Sequence, residues 1–314
     1  MKKLFFISII AIISITIFLN QKPTNHLSTI AIANYGPHSS LDATIKGIKK
    51  DLARQDCQVN YDILDVGFDT SLIPQMITKL KIHKPTIMVA MTTPVAQFAK
   101  NAVKDIPLVF ADITDPVSAG LLKTEDQIDG NMTGASERQN LELLLAFAKE
   151  ILPNATRVGI LYSTAEANDI TLVKMLEQAA LASNMQVVAV PIDQPRDVHM
   201  RMQSFNNKVD FIYVGTSGPI QPTLPTIVAQ ADAMNIPIFN ADSDAVKQHQ
   251  VLASFGVDYE QVGINAGNII ASILKDGKML PPSYPTLKDH HAFISKVRAE
   301  RYKVNIPANA TIME

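Results

Sequence analysis

Thr92, Thr93 and Pro94 stand where a short apolar run ends and a helical spacing begins. Thr93 fits an N-cap and Pro94 a first helical position, leaving the free N–H groups of the first turn facing whatever lies above the strand end. Such a turn favours an anion or a carboxylate. Thr114 and Asp115 end the next apolar run before Pro116, and Asp115 there either closes a turn or touches a ligand. Thr216, Ser217 and Gly218 repeat the first arrangement later in the chain. His38, beside Pro37 and two serines, lies near the end of the first apolar run. His290 and His291 are adjacent, and neighbours on a strand point to opposite faces, so they make a poor metal pair. The single cysteine, Cys57, makes no intramolecular disulfide, and no metal or cofactor is expected.

The motifs of common two-domain α/β enzymes are missing. No G-x-G-x-x-G follows the first strand, and there is no G-x-x-x-x-G-K-[ST] loop, G-x-S-x-G elbow or H-E-x-x-H pair. A net charge of −2, with lysines and arginines only in scattered pairs, gives no footprint for nucleic acid. At 314 residues and 47% hydrophobic composition the chain can bury a large core, and two domains are expected rather than one. Met1, Lys2 and Lys3 precede residues 4–19, an apolar or small run of about 16 positions, short of the roughly 20 that span a bilayer. It resembles a secretory signal peptide. No small-x-small cleavage site ends it and no cysteine follows, so residues 1–25 read as a cleaved signal or an uncleaved membrane anchor, and the rest as periplasmic.

The elements that must position these residues come in two similar series. Strands are expected over 29–34, 59–66, 86–90 and 107–111, alternating with helices over 41–52, 71–82 and 95–103. After a polar stretch over 123–134 and a helix over 139–151, strands over 157–162, 186–191, 211–214 and 237–240 alternate with helices over 169–182, 196–206 and 224–234. Corresponding strands begin at residues 30 and 157, 86 and 210, and 107 and 237, offsets of 127, 124 and 130 that point to a duplicated unit. Strands apolar without alternation are those of parallel sheets covered on both faces. The fold class is therefore α/β, two Rossmann-like doubly wound lobes with a ligand cleft between the carboxyl ends of their strands. The cleft walls are expected at 35–40, 92–94 and 114–116 from one half, and at 162–168, 216–218 and 242–244 from the other. Tyr35 and Tyr162, each ending the first strand of its half, would sandwich a flat ligand.

With these residues in view, the sequence resembles a family of ABC transporter substrate-binding proteins that includes the tryptophan- and tyrosine-type binding proteins, with a type I periplasmic-binding fold. The resemblance runs from about residue 30 to 307. It rests on Pro37, His38, Ser39, Ser40, Leu41 and Asp42; on Thr93, Pro94, Val95, Ala96 and Gln97; on the 106–110 run followed by Thr114, Asp115, Pro116 and Val117; on Gly130, Asn131, Met132, Thr133 and Gly134; and on the 158–162 run followed by Glu166, Ala167 and Asn168. It implies ligand duties for Thr92, Thr93, Gln97, Thr114, Asp115, Ser136, Glu137, Glu166 and Asn168, beside Tyr35, His38, Tyr162, Ser163, Thr216, Ser217 and Asp242 from the cleft walls. Two departures stand out: Ser217 occupies a place where the family often carries an acid suited to a ligand ammonium, and Ser163 and Thr164 replace an Asn-Pro pair. Asp115, Glu137, Glu166 or Asp242 would then supply the charge.

The resemblance implies an importer component that closes two lobes, residues 26–135 plus about 254–277 and 136–253 plus about 278–314, around a small polar or zwitterionic solute such as an aromatic amino acid. Its hinges are expected near Ala135, near 253–256 and after Leu274, its partners are an ABC permease and ATPase, and it is expected to act as a monomer. A ligand-sensing ectodomain and a two-lobed enzyme are the alternatives.

Overall fold

The computed structural model describes residues 27–314, so the apolar segment over 1–25 lies outside the described residues. The chain opens with β1 (Ser28–Asn34), α1 (Ser39–Arg54), β2 (Val59–Asp65), α2 (Ile73–Ile82), β3 (Ile87–Met91), α3 (Thr93–Ala102), β4 (Leu108–Ile113) and β5 (Met132–Ser136). β3 and β4 are apolar on both faces because helices cover both, and every residue of each strand is buried. The five strands form one parallel sheet in the order β2-β1-β3-β4-β5.

The second series follows: α4 (Leu141–Ile151), β6 (Arg157–Ser163), α5 (Ala167–Ala182), β7 (Gln186–Ile192), α6 (Val198–Arg201), β8 (Phe211–Val214), α7 (Leu224–Met234), β9 (Ile238–Asn240), α8 (Asp244–Lys247) and β10 (Ala253–Val257). Its order, β7-β6-β8-β9-β10, matches the first sheet strand for strand. After α9 (Tyr259–Asp276), the tail adds β11 (His290–Ser295), antiparallel to β10, then α10 (Lys296–Tyr302) and β12 (Thr311–Met313), parallel to β11. In both sheets the strand order reverses beside the first strand, and that switch point is where open α/β sheets leave a crevice.

Three findings differ from the sequence expectation. Residues 132–136, ending a stretch read as polar turn, form β5; its small residues fit because a Cβ on Gly134 would run into the ring and carbonyl of Phe110. The helix expected over 196–206 is three short turns, of which only α6 is α-helical. β10 pairs with β9 and β11, so residues 254–257 belong to the second sheet and the chain crosses back only at Asp258.

α9 then covers the first lobe, lying on α1 so closely that Gly47 and Gly263 must face each other. A Cβ on Gly263 would meet the Thr44 carbonyl and come within 2.9 Å of Gly47 Cα. The helix ends at Gly277, whose φ of 62° suits a residue without Cβ. The following chain stays with the first lobe as far as Ser283, which exchanges backbone hydrogen bonds with Gly134 and Ser136. One apolar core fills the first lobe, and the second sheet carries one on each face. At about 1.5–3 kcal/mol per fully buried large side chain, these cores hold the fold; Cys57 is unpaired. Among the described residues, no helix is long and apolar enough to cross a membrane.

Candidate functional site

The polar residues singled out in the sequence converge because they leave the carboxyl ends of strands that face one another. Tyr35 follows β1, and His38 caps α1 by accepting Ser40 N–H on Nδ1 at 3.3 Å. Thr92 and Thr93 follow β3, with Thr92 at the N-cap position in place of the expected Thr93 and no side chain capping the helix. Thr92 has φ 72° and ψ 159°, a conformation nearly reserved for glycine that costs a threonine about 1–3 kcal/mol. From the second lobe come Glu166 and Asn168 after β6, Thr216 and Ser217 after β8, and Asp242 after β9. With Thr114 and Glu137 these residues line a cavity with about 580 Å³ of empty space, open solvent at its mouth included.

Hydrogen bonds cross the cavity between the lobes. Tyr35 donates its hydroxyl to Glu166 Oε1 at 2.8 Å, and Ser39 donates Oγ–H to Asp242 Oδ2 at 2.8 Å. At the base, Glu137 accepts from Thr114 of the first lobe at 2.8 Å and from Thr216 of the second at 3.1 Å on Oε1. Its Oε2 accepts from Gln139 at 2.8 Å and Tyr259 at 3.5 Å, so this buried carboxylate ties both lobes to the crossing segment.

Burial pushes the Glu137 and Glu166 carboxyls up despite their donors, and it pushes the Tyr35 phenol up, with the Glu166 charge adding to it. Behind the wall, Asp169 in the first turn of α5 is only 2% exposed. Its Oδ2 accepts from Ser163 N–H at 2.6 Å and from Ser217 Oγ–H at 2.7 Å. Burial, then the nearby Glu166 charge, pushes Asp169 up to about 7. The acid missing from the loop at Ser217 thus has a counterpart one layer back, on α5.

Five expected ligand contacts lie elsewhere. Gln97 sits one turn into α3 and donates to the Ala119 carbonyl at 2.9 Å. Asp115 closes its own turn by accepting from Val117 and Ser118 N–H and lies 3.2 Å from Arg138 Nη2. Ser136 donates to the Ile113 carbonyl at 2.6 Å, stitching β5 to β4. Tyr162 shares the face of Val158 and Ile160 on β6, two residues apart, and packs against the helix-covered core instead of opposing Tyr35. Ser163 is buried behind the wall with Asp169.

Phe68, Asp112, Gln221 and Tyr259 also line the cavity wall, though none was among the residues expected there. Phe68 meets Tyr35 edge to face at 5.5 Å. Asp112 carried a signal: an acid at the end of a strand otherwise apolar on both faces.

Two lobes built on largely parallel sheets, meeting over an acid-lined cavity at their strand ends, define a two-lobed ligand-binding protein. The family described as ABC transporter substrate binding protein matches residues 29–313, and the chain belongs to that family. The Tyrosine-binding protein of Clostridioides difficile (strain R20291) is 31% identical over 250 residues, 78% of this chain and 72% of that relative. Among solved structures, the ABC domain in complex with L-Trp from Streptococcus pneumonia superposes with a TM-score of 0.84 at 28% identity, covering 91% of this chain and 99% of that one. The ligand-free, open structure of a substrate binding protein with adhesive properties from Clostridium difficile gives 0.68 at the same 28% identity, covering 91% and 98%. The fold is that of the type I periplasmic binding proteins.

Proposed function

We propose that the chain captures a small zwitterionic solute, an amino acid of the aromatic class, in this cleft and presents it to an ABC permease and its ATPase for import. The observation that carries the reading is the cavity itself, walled by both lobes and bridged by Tyr35 on Glu166 and Ser39 on Asp242. The uncapped first turn of α3 suits a ligand carboxylate, and the surrounding acids suit an ammonium. Tyr35, His38, Thr92, Thr93, Thr114, Glu137, Glu166, Asn168, Thr216, Ser217 and Asp242 are the ligand-facing set.

The lobes hinge where the chain crosses between sheets, over 136–140, 257–259 and 284–289. A solute touching both walls favours the closed arrangement over the open one by its differential affinity. The higher score against the L-Trp complex than against the open, ligand-free structure supports a closed setting of the lobes here. One chain supplies both walls, which supports a monomer as the working unit. Residues 1–25 direct export, placing the lobes in the periplasm as a released or membrane-tethered form.

A thermal-shift panel of amino acids, organic acids, sugars and nucleosides on the full chain tests this, since a ligand that binds only the folded state raises the melting temperature. A rise with aromatic amino acids is expected, and a rise confined to sugars or nucleosides would overturn the reading.

A further inference from the structure

Asp112 is the one cavity acid whose carboxylate is only half used. Its Oδ1 accepts from Thr44 Oγ–H at 2.8 Å, while Oδ2 is buried and has no partner among the described residues, in a residue 6% exposed. A buried polar atom without a partner calls for an explanation.

The backbone supplies one. β4 changes register against β5 between Ala111 and Ile113, and Asp112 sits in that bulge with φ 56°. A bulge re-aims a side chain, and here the side chain lines the cavity.

Its neighbour across the sheet shares both peculiarities. Met91 pairs with Ala111 and Thr92 N–H donates to the Ala111 carbonyl at 2.9 Å, so Thr92 and Asp112 leave adjacent strands side by side. Both have positive φ, and Thr92 Oγ1 is likewise buried without a partner. Two strained residues on the wall of one cavity, each with a buried oxygen that no described group uses, form a built acceptor corner. Strain that the surroundings hold in place marks functional positions.

The charge around the corner sets the sign of what it accepts. Glu137, Glu166 and Asp242 line the same cavity, and among the described residues His38 is the only basic side chain on its wall. Burial, with the Glu137 charge adding to it, pushes the Asp112 carboxyl well above the ordinary carboxylate range; a cation beside it would favour the ionised form, and an anion there would add to the repulsion.

We propose that Asp112 and Thr92 form the cation-recognising corner of the cleft, so that the solute must carry a protonated amine, its N–H groups directed at Asp112 Oδ2 and Thr92 Oγ1. The amine, not the carboxylate, is the group this site demands. The proposal rests on the reading of the cleft as a solute site and narrows the solute class. Asp112 is then the specificity-determining residue, and Asp112→Asn is the matching perturbation. Asparagine tolerates the left-handed backbone, keeps an acceptor for Thr44, and puts an uncharged NH2 donor where the carboxylate offers Oδ2.

The test is calorimetric titration of the full chain and its Asp112→Asn variant with L-tryptophan, tryptamine and indole-3-propionate, alongside the same amino, amine and acid forms of tyrosine and leucine. The expected result is binding by amine-bearing probes, no binding by the acids lacking an amine, and a tenfold or greater loss in Asp112→Asn, whose ligand-free melting temperature rises. If amines bind and amino acids do not, the amine corner stands and the amino-acid reading falls. If amino acids bind equally to both proteins, the reading stands and the corner falls, solvent being the partner of Asp112. Equal binding by indole-3-propionate and L-tryptophan also overturns the corner, and silence across all probes overturns both.

Discussion

Removing one hydroxyl from Tyr35 tests closure with little other disturbance. In Tyr35→Phe the ring keeps its edge contact with Phe68, and at 2% exposure it opens no new apolar surface. What disappears is the O–H donated to Glu166 Oε1 at 2.8 Å. A hydrogen bond to a charged acceptor is worth about 1.5–3 kcal/mol. Glu166 keeps the Asn168 Nδ2 donor at 3.2 Å and the Gly218 N–H, which places the loss at the lower end, about 1.5 kcal/mol. Because the bond joins lobes rather than parts of one core, the whole loss falls on the closed state. Affinity for the strongest-binding amino acid should weaken about tenfold. The ligand-free melting temperature should stay within about 2 °C of the parent protein, since neither lobe loses packing. Calorimetric titration gives the first quantity and a melting scan the second. A Tyr35→Phe protein that binds as tightly as the parent would refute the closure argument, and a large fall in melting temperature would show the bond holding the fold instead.

Three further outcomes follow from named contacts. Asp169 has a folded-state value of about 7 against an ordinary 3.8. The folded state therefore holds that proton more tightly, and the associated stability is full below about pH 4 and lost as the pH rises through 7. Melting temperature should accordingly fall between pH 5 and 8, and Asp169→Asn should flatten that slope; an unchanged slope would place the titrating group elsewhere. Asp115→Ala should lower stability by about 1 kcal/mol in urea unfolding while leaving affinity alone, because its carboxylate serves its own turn and Arg138. Gly263→Ala should cost about 1–3 kcal/mol in the same assay, since the new methyl group meets the α1 backbone.

The architecture was legible because its signals are periodic. Apolar strands, helical spacings and near-constant offsets between the halves place the crevice at the strand ends, and the repeat of 92–94 in 216–218 marks facing walls. β5 escaped because Gly134, which reads as a turn residue, is required by the close approach of Phe110, a tertiary requirement that local propensity does not encode. The lobe boundary slipped at 254–257 because a strand's partner sheet depends on β9 and β11, both distant in sequence. Site residues followed the same division. Those directly after a strand, such as Tyr35 and Thr216, line the cavity, whereas the rotation of a helix and the alternation of a strand turn Gln97 and Tyr162 elsewhere. Asp112 depends on a bulge, which no periodic pattern announces.

The central claim is that this cleft binds one amino acid between two lobes. Calorimetric titration of the full chain with L-tyrosine and L-tryptophan tests it most directly. Saturable binding at one ligand per chain is expected for at least one of them, with a negative heat-capacity change as the cavity closes. No saturable heat from either, with the protein folded by its melting transition, would contradict it.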